Sequence, residues 1–340
     1  MLSSCPVLAI MQDAPSTRSK EDNMNDATTP WVDPELIAAG KLLQERGLVA
    51  PDRTVAGLAE VRAMTDRIGA FLGEGSVALK DERDLSLPGP HGQVPCRLYL
   101  PDGTERPPLI VYAHGGGFMQ GNLPSWDHFL RDLVRQSGVA ALSVDYQLSP
   151  EVKFPVAFEE MVAMTRLAAR EGAGFGIDPS RIAVGGDSAG ANLALAAARA
   201  MRDAGERALK FQLLIYGCFS TDCDSPSWRR FGQGAGLSQA QMRWIWEIYL
   251  ETPEQQKDWR AAPILADLKG VAPAHLIVGS LDPLLDDSNN LAAKLKAAGV
   301  PCQLTVYQGI NHGFIRYGKL IGTARRAIAD CAAALKAGLA

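Results

Sequence analysis

No apolar run in the sequence approaches the ~20 residues that a helix needs to cross a bilayer, so no membrane span is expected. Net charge is also small: 34 Lys and Arg against 38 Asp and Glu leave −4 over 340 residues. That balance offers no electrostatic reason to expect nucleic acid or an anionic membrane as a partner. Cysteine is sparse and unpatterned. The six, at 5, 96, 218, 223, 302 and 331, include no C-x-x-C pair, and no histidine stands at metal-ligand spacing. A disulfide framework and a zinc site are therefore not expected, and the thiols read as reduced and mostly buried in a cytoplasmic protein. Histidine is scarcer still, with five, so any acid–base chemistry has few candidates.

A hydrophobic content of 47% with 21% charged residues is that of a globular protein. The length suits one large α/β domain with an accessory layer. Leu2-Ser3-Ser4-Cys5 resembles a lipoprotein cleavage site, but the four residues before Cys5 leave no room for a basic start and an apolar core. Residues 1–23 are polar and patternless and are expected to be disordered; Met24, ahead of Asn25, is a second candidate start.

Organised sequence begins with two helical patterns. Asp33-Pro34-Glu35 reads as an N-cap with proline at the first helical position, followed by Leu36, Ala39, Leu42 and Leu43. Thr54–Leu72 reads as a second amphipathic helix with Val55, Leu58, Val61 and Ile68 on one side. From Val77 the pattern changes to strands. Two are separated by Pro88-Gly89-Pro90-His91-Gly92, apolar runs of the doubly buried kind follow at 109–113 and 139–144, and further strands are expected at 181–184, 211–216, 274–278 and 302–307. Helices fill the gaps, including 286–298 and a last one at 324–335 that Gly338 is placed to end. This alternation predicts a mostly parallel, doubly wound α/β sheet with helices on both faces. Nearly sixty residues between Tyr216 and Ala274 interrupt it, with a helix at 238–250 that is apolar on two sides and is expected between layers. The division expected is cap helices over 24–76, a catalytic domain over 77–217 and 270–340, and a second cap segment over 218–269.

Gly186-Asp187-Ser188-Ala189-Gly190 follows the strand at 181–184 and opens an alanine-rich helix. A strand turning at once into a helix through G-x-S-x-G is a nucleophile elbow, with Ser188 at its tip. Its base must come from the five histidines. His275 begins a strand and so lies at the wrong edge of the sheet. His91 lies in a hairpin turn and His128 early in a helix, where a solvated imidazole is expected. His312, in a loop just beyond the strand at 302–307, remains. The orienting acid at the same edge is Asp282, in Gly279-Ser280-Leu281-Asp282-Pro283-Leu284, while Asp286 and Asp287 are assigned to the dipole of the next helix. The chain order Ser188, Asp282, His312 is that of α/β-hydrolases. After the strand at 109–113, His114-Gly115-Gly116-Gly117 can turn backbone N–H groups inward. With Ala189, the N–H groups of Gly116 and Gly117 are expected to form an oxyanion hole, and His114 to hold the loop. No phosphate-loop lysine or dinucleotide acid accompanies these glycines.

His114–Gly117, Asp145-Tyr146-Gln147-Leu148-Ser149-Pro150-Glu151, Gly186–Gly190, Asp282-Pro283-Leu284 and His312-Gly313-Phe314 stand in one order. With these markers the chain resembles the bacterial hormone-sensitive-lipase-like esterases, from about residue 80 to the C-terminus. The resemblance implies an α/β-hydrolase fold of eight mainly parallel strands under a helical cap. It also implies hydrolysis of short-to-medium acyl esters of small molecules with no metal and no organic cofactor. Family members are often homodimers. The family pattern has arginine and alanine where this chain has Gln147 and Ser149, which bears on local packing rather than chemistry. An amidase or formamidase using the same three residues is the alternative activity. A non-catalytic ligand receptor of the same fold would be expected to have lost one of them.

Overall fold

The computed structural model describes residues 30–234 and 236–340, so the expectation for residues 1–23 lies outside the described residues. The strands are β1 (Asp81–Gly89), β2 (Gly92–Leu100), β3 (Leu109–Ala113), β4 (Ala140–Val144), β5 (Ile182–Asp187), β6 (Leu209–Ile215), β7 (Ala274–Gly279) and β8 (Cys302–Tyr307). They form one sheet in the order β1-β2-β4-β3-β5-β6-β7-β8. β2 pairs antiparallel with both β1 and β4, and every other pairing is parallel. Every residue of β3, β4, β5 and β7 is buried. Their sequences are mostly apolar because both faces are covered. Ala113 of β3 pairs with Val144 of β4 and with Gly186 of β5, so the three strands end level. The loops that follow them therefore start at one edge.

The helices are α1 (Pro34–Glu45), α2 (Leu58–Gly73), α3 (Leu123–Ser137), α4 (Val156–Glu171), α5 (Ala189–Asp203), α6 (Pro226–Phe231), α7 (Gln239–Tyr249), α8 (Leu285–Ala297) and α9 (Gly322–Gly338). One face of the sheet is covered by α3 and α9, through Phe129, Leu133, Ile328 and Leu335. The other is covered by α4, α5 and α8, through Met161, Leu193, Leu195 and Leu291. Asn122 caps α3 by accepting the Ser125 N–H at 3.0 Å, and Gly138, at φ 69°, ends it. In α7, Met242, Ile245, Trp246 and Tyr249 are buried while Trp244 and Ile248 pack half-buried against the same core. That is the expected placement between layers. Ser238 caps this helix and Gln241 returns the bond, forming a capping box.

Three local expectations need correction. α2 starts at Leu58 rather than Thr54. The Asp52 carboxylate accepts both the N–H and the hydroxyl of Thr54, at 2.9 and 2.8 Å, and this turn competes with helix. Val55 consequently stands 84% exposed instead of facing inward. The last helix runs beyond Leu335 to Gly338, its final residue. A Cβ there would lie 2.4 Å from the Phe211 ring, so the glycine marks the close approach of α9 to β6. His128 is buried rather than solvated. Its Nε2 bonds the Arg316 carbonyl at 2.8 Å, and burial lowers its pKa to about 4.

Candidate active site

Ser188 occupies the junction between β5 and α5 with φ 53° and ψ −116°. A non-glycine residue in such a region costs about 1–3 kcal/mol, and the surroundings here hold it there. The Ser188 N–H donates to the Ile215 carbonyl at 2.8 Å. A Cβ on Gly190 would stand 1.9 Å from the Ala113 carbonyl oxygen, and one on Gly186 would stand 2.4 Å from the Gly190 carbonyl carbon. Strand, turn and helix approach so closely that only glycine fits on either side of the serine.

Two loops at the same edge bring the other candidates to Ser188. The loop after β7 carries Asp282 and the loop after β8 carries His312. The Leu281 N–H donates to the Ile310 carbonyl at 3.0 Å, tying the two loops together. His312 Nε2 lies 2.9 Å from Ser188 Oγ, and Nδ1 lies 2.8 Å from Asp282 Oδ2. The second Asp282 oxygen accepts the Leu284 N–H at 2.8 Å. Asp282 is completely buried and accepts only, which fixes the imidazole with its proton on Nδ1. Nε2 is then free to accept the Ser188 proton. The Tyr216 ring meets the imidazole edge-on at 4.8 Å and limits its rotation.

The glycine loop lies across from this relay. Gly116 and Gly117 have φ of 118° and 62°, values that place their N–H groups where an L side chain is strained. Among the described residues the N–H groups of Gly116, Gly117 and Ala189 have no hydrogen-bond acceptor. Ala189 opens α5, whose first-turn N–H groups favour negative charge. His114 is buried beneath the loop, stacked on Tyr146 at 4.5 Å, with Nδ1 2.7 Å from the Gly115 carbonyl. Tyr146 in turn donates to the His114 carbonyl at 2.9 Å. Gln147 donates to Glu160 through its backbone and its amide, at 2.8 and 2.6 Å, so the departure at this position is accommodated by a local pair.

The remaining histidines stand apart. His275 faces Thr305 at 2.9 Å in the sheet, and His91 pairs with Glu159 at 2.6 Å on the surface. Asp286 and Asp287 stand in the first turn of α8, as expected, and each also binds backbone N–H groups of another segment. Asp287 accepts the Phe219 and Ser220 N–H groups at 2.9 and 2.7 Å, and Asp286 accepts the Ser227 N–H at 2.8 Å. They hold the start of the β6–β7 connection. Burial pushes the Asp287 carboxyl up to about 8.

Ser188, His312, Gly116 and Gly117 open on one cavity of ≈220 Å³. Its walls include Leu36, Ala39 and Leu48 from α1 and its exit, Ile68 of α2, and Met242 and Ile245 of α7. Among the described residues no group of three or more His, Cys, Asp or Glu side chains is set to hold a metal ion, and no helix is long and apolar enough to cross a membrane.

Residues 110–316 match the family model described as the alpha/beta hydrolase fold. The chain belongs to this alpha/beta-hydrolase family. It is 34% identical over 311 residues to the carboxylic ester hydrolase LipN of Mycobacterium tuberculosis, covering 89% of this chain and 81% of that protein. It is 36% identical over 253 residues to an acetyl esterase of Salmonella choleraesuis, covering 73% of this chain and 77% of that one. Among solved structures, an esterase of Pyrobaculum calidifontis superimposes with a TM-score of 0.84 at 33% identity, covering 91% of this chain and all (100%) of that one. The sheet and its flanking helices are thus those of an α/β-hydrolase related to hormone-sensitive-lipase-like esterases.

In this hydrolase Asp187 is a residue that motif reading passed over. It is buried and accepts from the Tyr112 hydroxyl at 2.9 Å, the Gly115 N–H at 2.8 Å and the Trp126 indole at 2.9 Å. Burial raises its pKa, against those donors. Its work is to clamp the glycine loop against the elbow. A carboxylate at an apolar strand–helix junction was the available signal, because such a group must find several donors.

Proposed function

We propose that this hydrolase is a serine carboxylesterase acting on short-to-medium acyl esters through an acyl-enzyme intermediate. The observation that carries the reading is the bonded relay Ser188–His312–Asp282 beside three unused N–H donors on a cavity. His312 takes the hydroxyl proton as Ser188 Oγ attacks the ester carbonyl. The N–H groups of Gly116, Gly117 and Ala189 stabilise the oxyanion, and Asp282 stabilises the imidazolium. The imidazolium returns its proton to the leaving alcohol. Water activated by His312 then releases the acid. The names of the relatives, an acetyl esterase among them, support ester cleavage. A cavity of ≈220 Å³ lies below the roughly 300–1,000 Å³ of drug-sized ligand sites, which supports short chains.

In this reading residues 24–76 and 218–269 form a cap over a catalytic domain of 77–217 and 270–340. The cavity walls support it, since α1, α2 and α7 supply much of the apolar lining.

The test is Ser188→Ala with a series of p-nitrophenyl esters of increasing acyl length. Turnover should fall on the order of 10⁴-fold or more with thermal stability nearly unchanged. An organophosphate should label Ser188 stoichiometrically. Labelling of another serine would overturn the assignment.

A further inference from the structure

The cavity beside Ser188 is apolar over most of its wall, yet two guanidinium groups face it, Arg53 and Arg316. They are held in different ways. Arg316 donates to the Ser125 carbonyl at 3.1 Å and lies over the Trp126 ring at 4.0 Å. Its charge also acts on Asp187, the carboxylate beneath the cavity. Arg53, in the turn between α1 and α2, has no comparable partner. Among the described residues no Asp or Glu oxygen lies within the 4.0 Å of an ion pair from it, and its guanidinium donates no hydrogen bond. The nearest carboxylate in sequence, Asp52, is turned onto Thr54. Several arginines that pack between elements are paired by contrast: Arg62 with Glu151, Arg97 with Asp84 and Asp127, Arg131 with Glu82.

Arg53 is half-buried, and a guanidinium partly drawn out of water without a counter-charge is a costly arrangement. Burial lowers the Arg53 pKa, offset in part by Tyr317 and Asp52; an arginine nonetheless keeps its charge at neutral pH. The planar fork of the group matches a carboxylate in two parallel bonds. Asp187 is not that partner: its Oδ1 receives Tyr112, Gly115 and Trp126, its Oδ2 has the Tyr216 hydroxyl at 3.4 Å, and neither oxygen lies within ion-pair distance of Arg53.

We propose that Arg53 is a specificity-determining residue that selects esters carrying a free carboxylate at the far end of the acyl or alcohol chain. The inference rests on the esterase reading above and deepens it by naming the substrate class. The scissile carbonyl sits at Ser188 and the oxyanion donors, and the distal carboxylate forks onto Arg53 across the apolar cavity. No new chemical step is involved, because the guanidinium binds and orients.

The experiment compares matched pairs by acid release at neutral pH. Monoethyl adipate against ethyl hexanoate places the charge on the acyl side, and 4-acetoxybutyrate against butyl acetate places it on the alcohol side. The wild type should favour the charged member of one pair in kcat/KM, and that arm identifies the side. In Arg53→Met the ratio of charged to neutral kcat/KM should fall about tenfold or more, while Arg53→Lys keeps part of it. Raising the salt concentration should shrink the wild-type preference. Binding gives a readout independent of turnover. The folded Ser188→Ala protein should bind monoethyl adipate or 4-acetoxybutyrate more tightly than its neutral match by calorimetry, and adding Arg53→Met should remove the difference. Equal ratios in wild type and Arg53→Met for both pairs, or equal binding of charged and neutral members, overturn the proposal. Absence of turnover on all four esters, with selective binding intact, would instead overturn the esterase reading and leave the anion site standing.

Discussion

At the C-terminal edge of the sheet, position is enforced by backbone contact. Gly190 lies against the Ala113 carbonyl, Gly186 against Gly190, and Gly279 against the Ile310 carbonyl, at distances that admit no Cβ. The helices above that edge are attached differently, by side chains reaching across long stretches of chain. Arg62 of α2 forks onto Glu151 and donates to the Met119 and Ser149 carbonyls at 2.8 and 3.1 Å. Asp33 receives the Thr323 hydroxyl at 2.7 Å, and Asp287 receives Phe219 and Ser220. Asn192 of α5 donates to the Cys218 and Ala261 carbonyls, each at 2.7 Å. The edge is therefore rigid by steric necessity, whereas the helices over it depend on a few polar ties that substitution can cut singly. On the function proposed above, chemistry that needs sub-ångström alignment would sit on the first kind of scaffold and the walls that set substrate preference on the second.

The comparison breaks most sharply at the paired carboxylates of the β7–α8 region. Asp282→Asn should cost about 10⁴ in turnover by favouring the wrong imidazole tautomer. Asp287→Asn keeps an oxygen for its two N–H donors and should leave turnover near wild type. Measuring kcat of both variants at neutral pH decides it, and an inactive Asp287→Asn beside an active Asp282→Asn would invert the assignment.

A smaller loss is expected at the glycine loop. Gly117→Val should reduce kcat roughly 10²–10³-fold, the usual cost of losing one oxyanion donor. A Cβ there also meets Ile245 Cδ1 at 2.9 Å. Combining the change with Ile245→Ala separates the two causes: recovery of most activity would make the effect one of packing, and none is expected because φ stays unfavourable.

Cutting a tie of the outer helices should act on stability and KM before kcat. Arg62→Met removes two bonds to carbonyls, each worth about 0.5–1.5 kcal/mol. Its ion pair with Glu151 is largely exposed and adds little. Urea denaturation should show a loss of about 1–3 kcal/mol by the same figures. Arg62→Lys should not restore it, because an ammonium cannot reproduce the fork. A drop in kcat matching that of Asp282→Asn would show that α2 is part of the catalytic scaffold.

The last effect is one of pH and leaves turnover aside. The buried Asp287 carboxyl is raised from its ordinary 3.8 to about 8, so the folded chain keeps a proton that the unfolded chain loses. Folding takes up that proton across this window, and stability from this group is greatest at its acid end and declines as pH rises towards about 8. Asp287→Asn should flatten that decline, gaining on the wild type as pH rises. Melting temperatures of both proteins across the window test this, and parallel curves would show that Asp287 is ionised in the fold.

What the sequence determined by itself was local. The elbow, the glycine run, and the loops carrying Asp282 and His312 were legible because each is a strand end followed by a turn, and parallel strands deliver their C-terminal loops to one edge. The mostly parallel, doubly wound sheet was legible in the alternation of apolar strands with helices, while its eight strands under a helical cap were what the family resemblance implied. The start of α2, the burial of His128, the clamp at Asp187, the ties at Asp287 and Arg62 and the unpaired charge of Arg53 were decided only in three dimensions. Each depends on which group from a distant stretch arrives beside a polar side chain. Periodicity records which face of an element is buried, but it does not record the partner that a buried charge or N–H will meet there.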